Sequence, residues 1–244
     1  MLTKSSENTS FRMGIRDGIP ICLGYLSVSF AFGIFATGAG LSVYEALLIS
    51  MLNVTSAGQL AAVPIIAAMG SFVELALTQL VINLRYALMS VSLSQKLGES
   101  VRMRDRFLIS FVNTDEVFAV SSGKEGKVGR KYMFGLILTP YVGWSLGTLL
   151  GAVAGNILPA ILISALGIAI YAMFTAIVIP FAKSGLKPFL CVLTAALISV
   201  VLFYVPIFDS VRSGFKIIIT AVLTSMIFAF AAPLDEDGEG AADE

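Results

Sequence analysis

From 19 to 232 the chain alternates apolar runs with short polar connections, and the runs differ mainly in where polar residues interrupt them. The first run, 19–40, is unbroken and long enough to span a bilayer; with Lys4, Arg12 and Arg16 ahead of it, it reads as an uncleaved first helix rather than a signal peptide. The next, 44–69, is apolar at both ends but carries Asn53, Thr55, Ser56, Gly58, Gln59 and Pro64 inside. That pattern predicts a broken helix, since unwound backbone at membrane depth is tolerated where it is buried in protein or lines a cavity. An ordinary helix kinked at Pro64 is the alternative.

The run over 72–92 predicts a helix that places Glu74, Thr78, Arg85 and Ser92 within about 40° of one another, with Gln79, Asn83 and Tyr86 on the opposite side. Two polar stripes require two protein-facing sides. Ionisable groups at this depth mark functional sites by default; in the alternative reading Glu74 sits at the membrane boundary and Arg85 snorkels to the nearer end. A fourth run, 107–122, is too short to cross a hydrocarbon core of about 30 Å as a helix and holds Asn113, Thr114, Asp115 and Glu116 at its centre, so it is expected to enter and leave on one side. Four uninterrupted runs follow at 132–155, 160–182, 187–207 and 216–232. In the first of these Gly143, Gly147, Gly151 and Gly155 recur every four residues, extended by Gly135 and Thr139, which predicts a close helix-packing face within this chain or toward another subunit. SMLN at 50–53 and SFVN at 110–113 open the two interruptions alike, but four residues do not establish a repeat, and we read the similarity as chance.

Composition fits this pattern, with 57% hydrophobic and 13% charged residues, whereas soluble domains carry about a quarter charged. The formal net charge of zero hides an asymmetry: basic residues crowd the connections, and an acidic tail closes the chain. If 44–69 and 107–122 are both re-entrant and the N-terminus is cytoplasmic, every lysine and arginine except Arg85, Arg212 and Lys216 lies inside; if 107–122 spans, everything after it flips and the asymmetry shrinks. The first arrangement is expected: an all-α, polytopic integral membrane protein of six full transmembrane helices plus two broken or re-entrant elements. It comprises a cytoplasmic segment over 1–18, a single transmembrane domain over 19–232 and a disordered tail over 233–244. The charge reports topology and not nucleic-acid binding. Histidine is absent, which removes Ser/His triads, histidine metal sites and imidazole relays. There is no P-loop, Cys22 and Cys191 read as small apolar residues, and no enzyme activity or cofactor is expected.

SAGQLAAV at 56–63, NLRY at 83–86 and NTDEVFAV at 113–120, with FRMGIRDGIP at 11–20 and GWSLGTLLGAVAG at 143–155, together resemble the AzlC family, also called the YgaZ family, the large subunit of bacterial branched-chain amino acid exporters. Members often carry histidine after N-L-R where this chain has Tyr86, so no role is carried over to that position. The resemblance implies efflux of branched-chain and related neutral amino acids across the bacterial inner membrane, together with a small AzlD-type membrane subunit. A zwitterion needs donors for its carboxylate, acceptors for its ammonium and an apolar pocket, and broken helices offer both kinds of backbone group. The candidates for binding or coupling are Asn53, Ser56, Gly58, Gln59, Glu74, Asn83, Arg85, Asp115 and Glu116. Asp115 or Glu116 could receive the ammonium or a coupling proton, or simply neutralise Arg85 or the basic loops. Two function classes stand at this point: a secondary exporter driven by an ion gradient, and a non-catalytic scaffold or passive pore that needs its partner.

Overall fold

A computed structural model describes residues 10–155, 157, 159, 161, 175, 178–180 and 182–231. The expected span over 160–182, the first nine residues and the acidic tail therefore lie largely or wholly outside the described residues. Among the described residues five helices are long and apolar enough to cross a membrane: α1 (Phe11–Gly38), α4 (Phe72–Lys96), α7 (Arg130–Gly155), α8 (Leu186–Tyr204) and α9 (Ser213–Ala231). Between them lie two interrupted elements, α2 (Val43–Leu52) with α3 (Ser56–Ala67), and α5 (Met103–Phe111) with α6 (Asp115–Ser122).

Helix α1 begins at Phe11, ahead of the apolar run, because Ser10 caps it by accepting the Met13 N–H and because Gly14 and Gly18 already pack on α7. The two helices run parallel and in register. A Cβ at Gly135 would meet the Phe11 carbonyl, at Gly143 Cys22, at Gly147 Leu26 and Ser29, at Gly151 the Phe30 carbonyl and at Gly155 Thr37, while Gly14 and Gly33 of α1 face the Tyr132 and Thr148 carbonyls in return. The glycine stripe thus packs within the chain and brings two backbones together along the whole pair.

The two interrupted elements enter this pair from opposite ends. At the end where α1 starts, Asp17 pairs with Lys124 just after α6 (2.7 Å), Asp105 in the first turn of α5 pairs with Arg130 at the start of α7 (2.9 Å), and the last turn of α4 is stitched to Val128 by the Lys96 carbonyl and the Gly98 N–H. Both ends of α5–α6 therefore lie at this end. Asp105 also accepts the Arg102 N–H, which starts α5 at Met103 rather than at the apolar boundary near Phe107. At the other end α1 turns into α2 through Gly40 (φ 95°), and α3 turns into α4 through Met69 (φ 52°). There Ser71 caps α4, and the carboxylate of Glu74 accepts the Gly214 N–H (3.0 Å) and meets Arg212 (3.4 Å) at the start of α9. Pro64 sits inside a continuous α3, so the break in 44–69 is at 53–55 and not at the proline.

Each hairpin has its own apolar core. Phe32, Ala36, Ala46, Val63 and Ala152 join α2 and α3 to α1 and α7, and Ile109, Val117, Val128, Tyr132, Met133 and Leu136 join α5 and α6 to α7. Helices α8 and α9 pack on each other and, through α9, on α4. Leucine, valine and phenylalanine side chains cover their outer faces, as lipid contact requires.

Candidate functional site

The first break is built by side chains that replace backbone partners. Asn53 leaves the helix (φ −137°, ψ 85°); its Oδ1 accepts the Thr55 hydroxyl (3.1 Å) and its Nδ2 donates to Gln79 Oε1 (3.0 Å). Gln79 Nε2 in turn donates to the Gly58 carbonyl (2.8 Å), and Asn83 Nδ2 donates to Gln79 Oε1 (3.2 Å). A Cβ at Gly58 would collide with Thr55 and Gln79, so glycine is what lets the polar stripe of α4 reach the α3 backbone. Thr55 stands at the N-cap of α3 but makes no side-chain cap there. The amino end of α3, with its partial positive charge, is thereby left facing a cavity that Ser56 and Ala57 help to line.

Behind the break runs a fully buried polar chain. Trp144 Nε1 donates to Gln59 Oε1 (2.9 Å), Gln59 Nε2 donates to Ser50 Oγ (2.7 Å), and Ser50 and Thr148 share a hydrogen bond of 2.6 Å. It locks α2 and α3 to α7. Replacing Gln59 with leucine leaves Trp144 and Ser50 without this partner, each loss costing about 1–3 kcal/mol. The expected result is a clear fall in the melting temperature of the purified protein; an unchanged value would mean that the network does not hold the hairpin.

The second break ends α5 at Phe111 and restarts the chain at Asp115, with Thr114 accepting the Val117 N–H as N-cap and Asn113 donating to Ser90 (3.1 Å). Asp115 and Glu116 occupy the first turn of α6, where a helix amino end favours carboxylates. Arg85 leaves its stripe on α4: its guanidinium lies over the Tyr86 ring (4.9 Å), donates to the Tyr86 hydroxyl (3.2 Å) and pairs with Asp115 Oδ2 at 2.7 Å. Glu116 accepts instead from the hydroxyl of Tyr25 on α1, whose ring meets Trp144 edge-on at 5.0 Å.

The two breaks face one cavity of about 290 Å³, lined by Tyr25, Val54, Thr55, Ser56, Ile82, Arg85, Tyr86, Asp115, Glu116 and Trp144 among others. Of the residues anticipated from the sequence, Ser56, Arg85, Asp115 and Glu116 line it, while Asn53, Gly58, Gln59 and Asn83 build its supports. Glu74 does not belong to it. Its side chain is 2% exposed and fixes the start of α9, roughly 16 Å along α4 from Arg85. Sequence reasoning passed over Tyr25, Ser50, Trp144 and Thr148. A sole tryptophan inside a glycine stripe was the available signal for Trp144; the others are isolated polar residues in apolar helices.

A family model described as AzlC protein matches residues 20–158, a stretch that contains every residue lining the cavity. The chain belongs to the AzlC family. Over 234 residues this AzlC family member is 32% identical to the inner membrane protein YgaZ of Escherichia coli (strain K12), covering 91% of the present chain and 92% of that one. It is 34% identical over 177 residues to an uncharacterized membrane protein of Archaeoglobus fulgidus, 72% and 77% of the two chains, and 26% identical over 150 residues to one of Helicobacter pylori (strain ATCC 700392 / 26695), 60% and 65%. No solved structure matches. AzlC membership makes the chain a membrane protein with a transport-related role, and the matched region ends just after α7, leaving α8 and α9 outside it.

Proposed function

We propose that the protein is the large subunit of a secondary exporter that carries branched-chain and related neutral amino acids out of the cell, driven by an ion gradient and assembled with a small AzlD-type membrane subunit. The observation that carries this reading is the cavity between two helix breaks inserted from opposite ends of the bundle, with groups of both signs on its wall. A zwitterion is neutral overall but has two charged ends. The amino end of α3 suits its carboxylate, and Asp115 and Glu116 suit its ammonium. Val54, Ile82 and the Trp144 ring offer apolar surface for an aliphatic side chain. A volume of about 290 Å³ lies at the lower edge of the roughly 300–1,000 Å³ of drug-sized pockets, which suits a small solute.

Charge supports an orientation. The described lysines and arginines other than Arg85, Arg212 and Lys216 belong to connections and helix ends on the side where α1 starts, and we assign that side to the cytoplasm of the inner membrane. The C-terminal end of α9 lies on the same side, antiparallel to α8.

The test is leucine transport in everted membrane vesicles holding this chain with or without the small subunit. Uptake into the vesicles is expected with both subunits and an imposed gradient, and is expected to collapse with an ionophore. Gradient-independent equilibration would instead support the passive pore, and no movement of any branched-chain amino acid would sink the export reading.

A further inference from the structure

The cavity holds an unequal set of charges. Asp115 has a full cation at 2.7 Å in Arg85, whereas Glu116, its neighbour on the same helix turn, is met among the described residues only by a neutral hydroxyl, that of Tyr25. Glu116 shares the cavity wall with Tyr25 from α1, Arg85 and Tyr86 from α4, Asp115 from α6, and the uncharged Thr55, Ser56, Thr114 and Trp144. Among the described residues, one cation therefore serves two carboxylates. The amino end of α6 offers partial charge to both, but at this depth a second full negative charge calls for a second positive one.

Resting on the export reading above, we propose that Glu116 is the exchange point of the transporter, holding either one proton or the ammonium group of the amino acid but not both. Asp115 is held by Arg85 and remains the fixed member of the pair. When an amino acid enters from the cytoplasm, its ammonium replaces the proton on Glu116, and that proton leaves to cytoplasmic water. On the outer side a proton returns to the carboxylate and the ammonium departs. Each cycle moves one zwitterion out and one proton in, with no bond made or broken other than the O–H of Glu116, and carries one positive charge inward. Coupling follows from competition at a single carboxylate and needs no separate ion site.

The test uses the complete two-subunit assembly, purified in weakly buffered solution with a pH indicator dye and titrated with leucine. Leucine affinity should fall about tenfold for each unit of pH lowered wherever the proton competes, and close to one proton should be released per leucine bound over that same range, as one-for-one competition requires. Glu116→Gln should abolish the release, whereas Glu125→Gln, on the exposed loop after α6, should release as the wild type does. Should Glu116→Gln fail to assemble, the wild-type pH series decides by itself. Leucine binding without proton release, affinity independent of pH, or release that persists in Glu116→Gln would each overturn the proposal while leaving export intact. Failure of leucine, isoleucine and valine alike to bind at any pH would instead remove both readings.

Discussion

Neutralising Arg85 together with Asp115 should damage the protein less than neutralising either one alone. The two side chains meet at 2.7 Å near the middle of α4, beside the second helix break, and each stays partly open to the cavity, at 56% and 44% exposure. A fully exposed pair would couple by only about 0.2–1 kcal/mol, whereas breaking a fully buried one costs roughly 3–5 kcal/mol. The geometry lies between these limits, so a coupling of about 1–3 kcal/mol is expected from a double-mutant cycle. Arg85→Gln leaves Asp115 and Glu116 facing one another without a cation, and Asp115→Asn leaves an unpaired guanidinium at membrane depth. Membrane abundance and thermal stability should drop in both singles and recover in the Arg85→Gln, Asp115→Asn double. Arg85→Gln with Glu116→Gln provides the contrast, because Glu116 bonds to Tyr25 and not to Arg85. That double should recover less. Strictly additive losses for Arg85 with Asp115 would rule out the pair as a structural unit, and equal recovery in both doubles would mean that the arginine answers only to total charge.

Gly151→Leu should prevent the folded protein from accumulating at all. A Cβ there would fall on the carbonyl of Phe30 in α1, an obstacle of backbone rather than of a side chain that could turn aside. Relief requires prising α1 from α7 along a contact that glycines on both helices maintain from Gly14 to Gly155. Overpacking commonly costs about 1–3 kcal/mol where side chains can adjust; the loss here should exceed that range, since dispersion contacts along the whole row depend on the spacing. Improved helix propensity returns only about 1 kcal/mol. Gly147→Leu, against Leu26 and Ser29, should behave in the same way. Gly24→Leu is the control, because nothing lies within 4 Å of a Cβ at that position of α1. Quantifying folded protein in detergent extracts compares the three. Normal amounts for Gly151→Leu would show that α1 and α7 are not packed as described.

Much of this molecule was legible in one dimension. Apolar runs of bilayer length, the unequal distribution of lysine and arginine, and polar residues in the middle of 44–69 and 107–122 each express a local requirement: a helix in lipid must satisfy its own backbone, and a residue that cannot face lipid must face something else. Those rules act on each segment separately, so the segment alone suffices to read them. The glycine stripe at 135–155 likewise announced a close approach, although not that α1 was the partner.

What faces what could not be read in this way. Glu74 and Arg85 lie on one stripe of α4, yet the first anchors α9 while the second swings over Tyr86 to reach Asp115, because a long side chain can leave the face on which its Cα sits. Tyr25, Ser50, Trp144 and Thr148 are lone polar groups in apolar helices, and their roles exist only because helices distant in sequence set donors against acceptors. The boundaries of α1 and α5 were decided in the same way, by Ser10 and Asp105 finding partners beyond the apolar runs. Hydrophobic period and charge sign are properties of a segment and survive in the sequence; the pairing of one buried polar group with another depends on distances between segments, and only the packed bundle sets those.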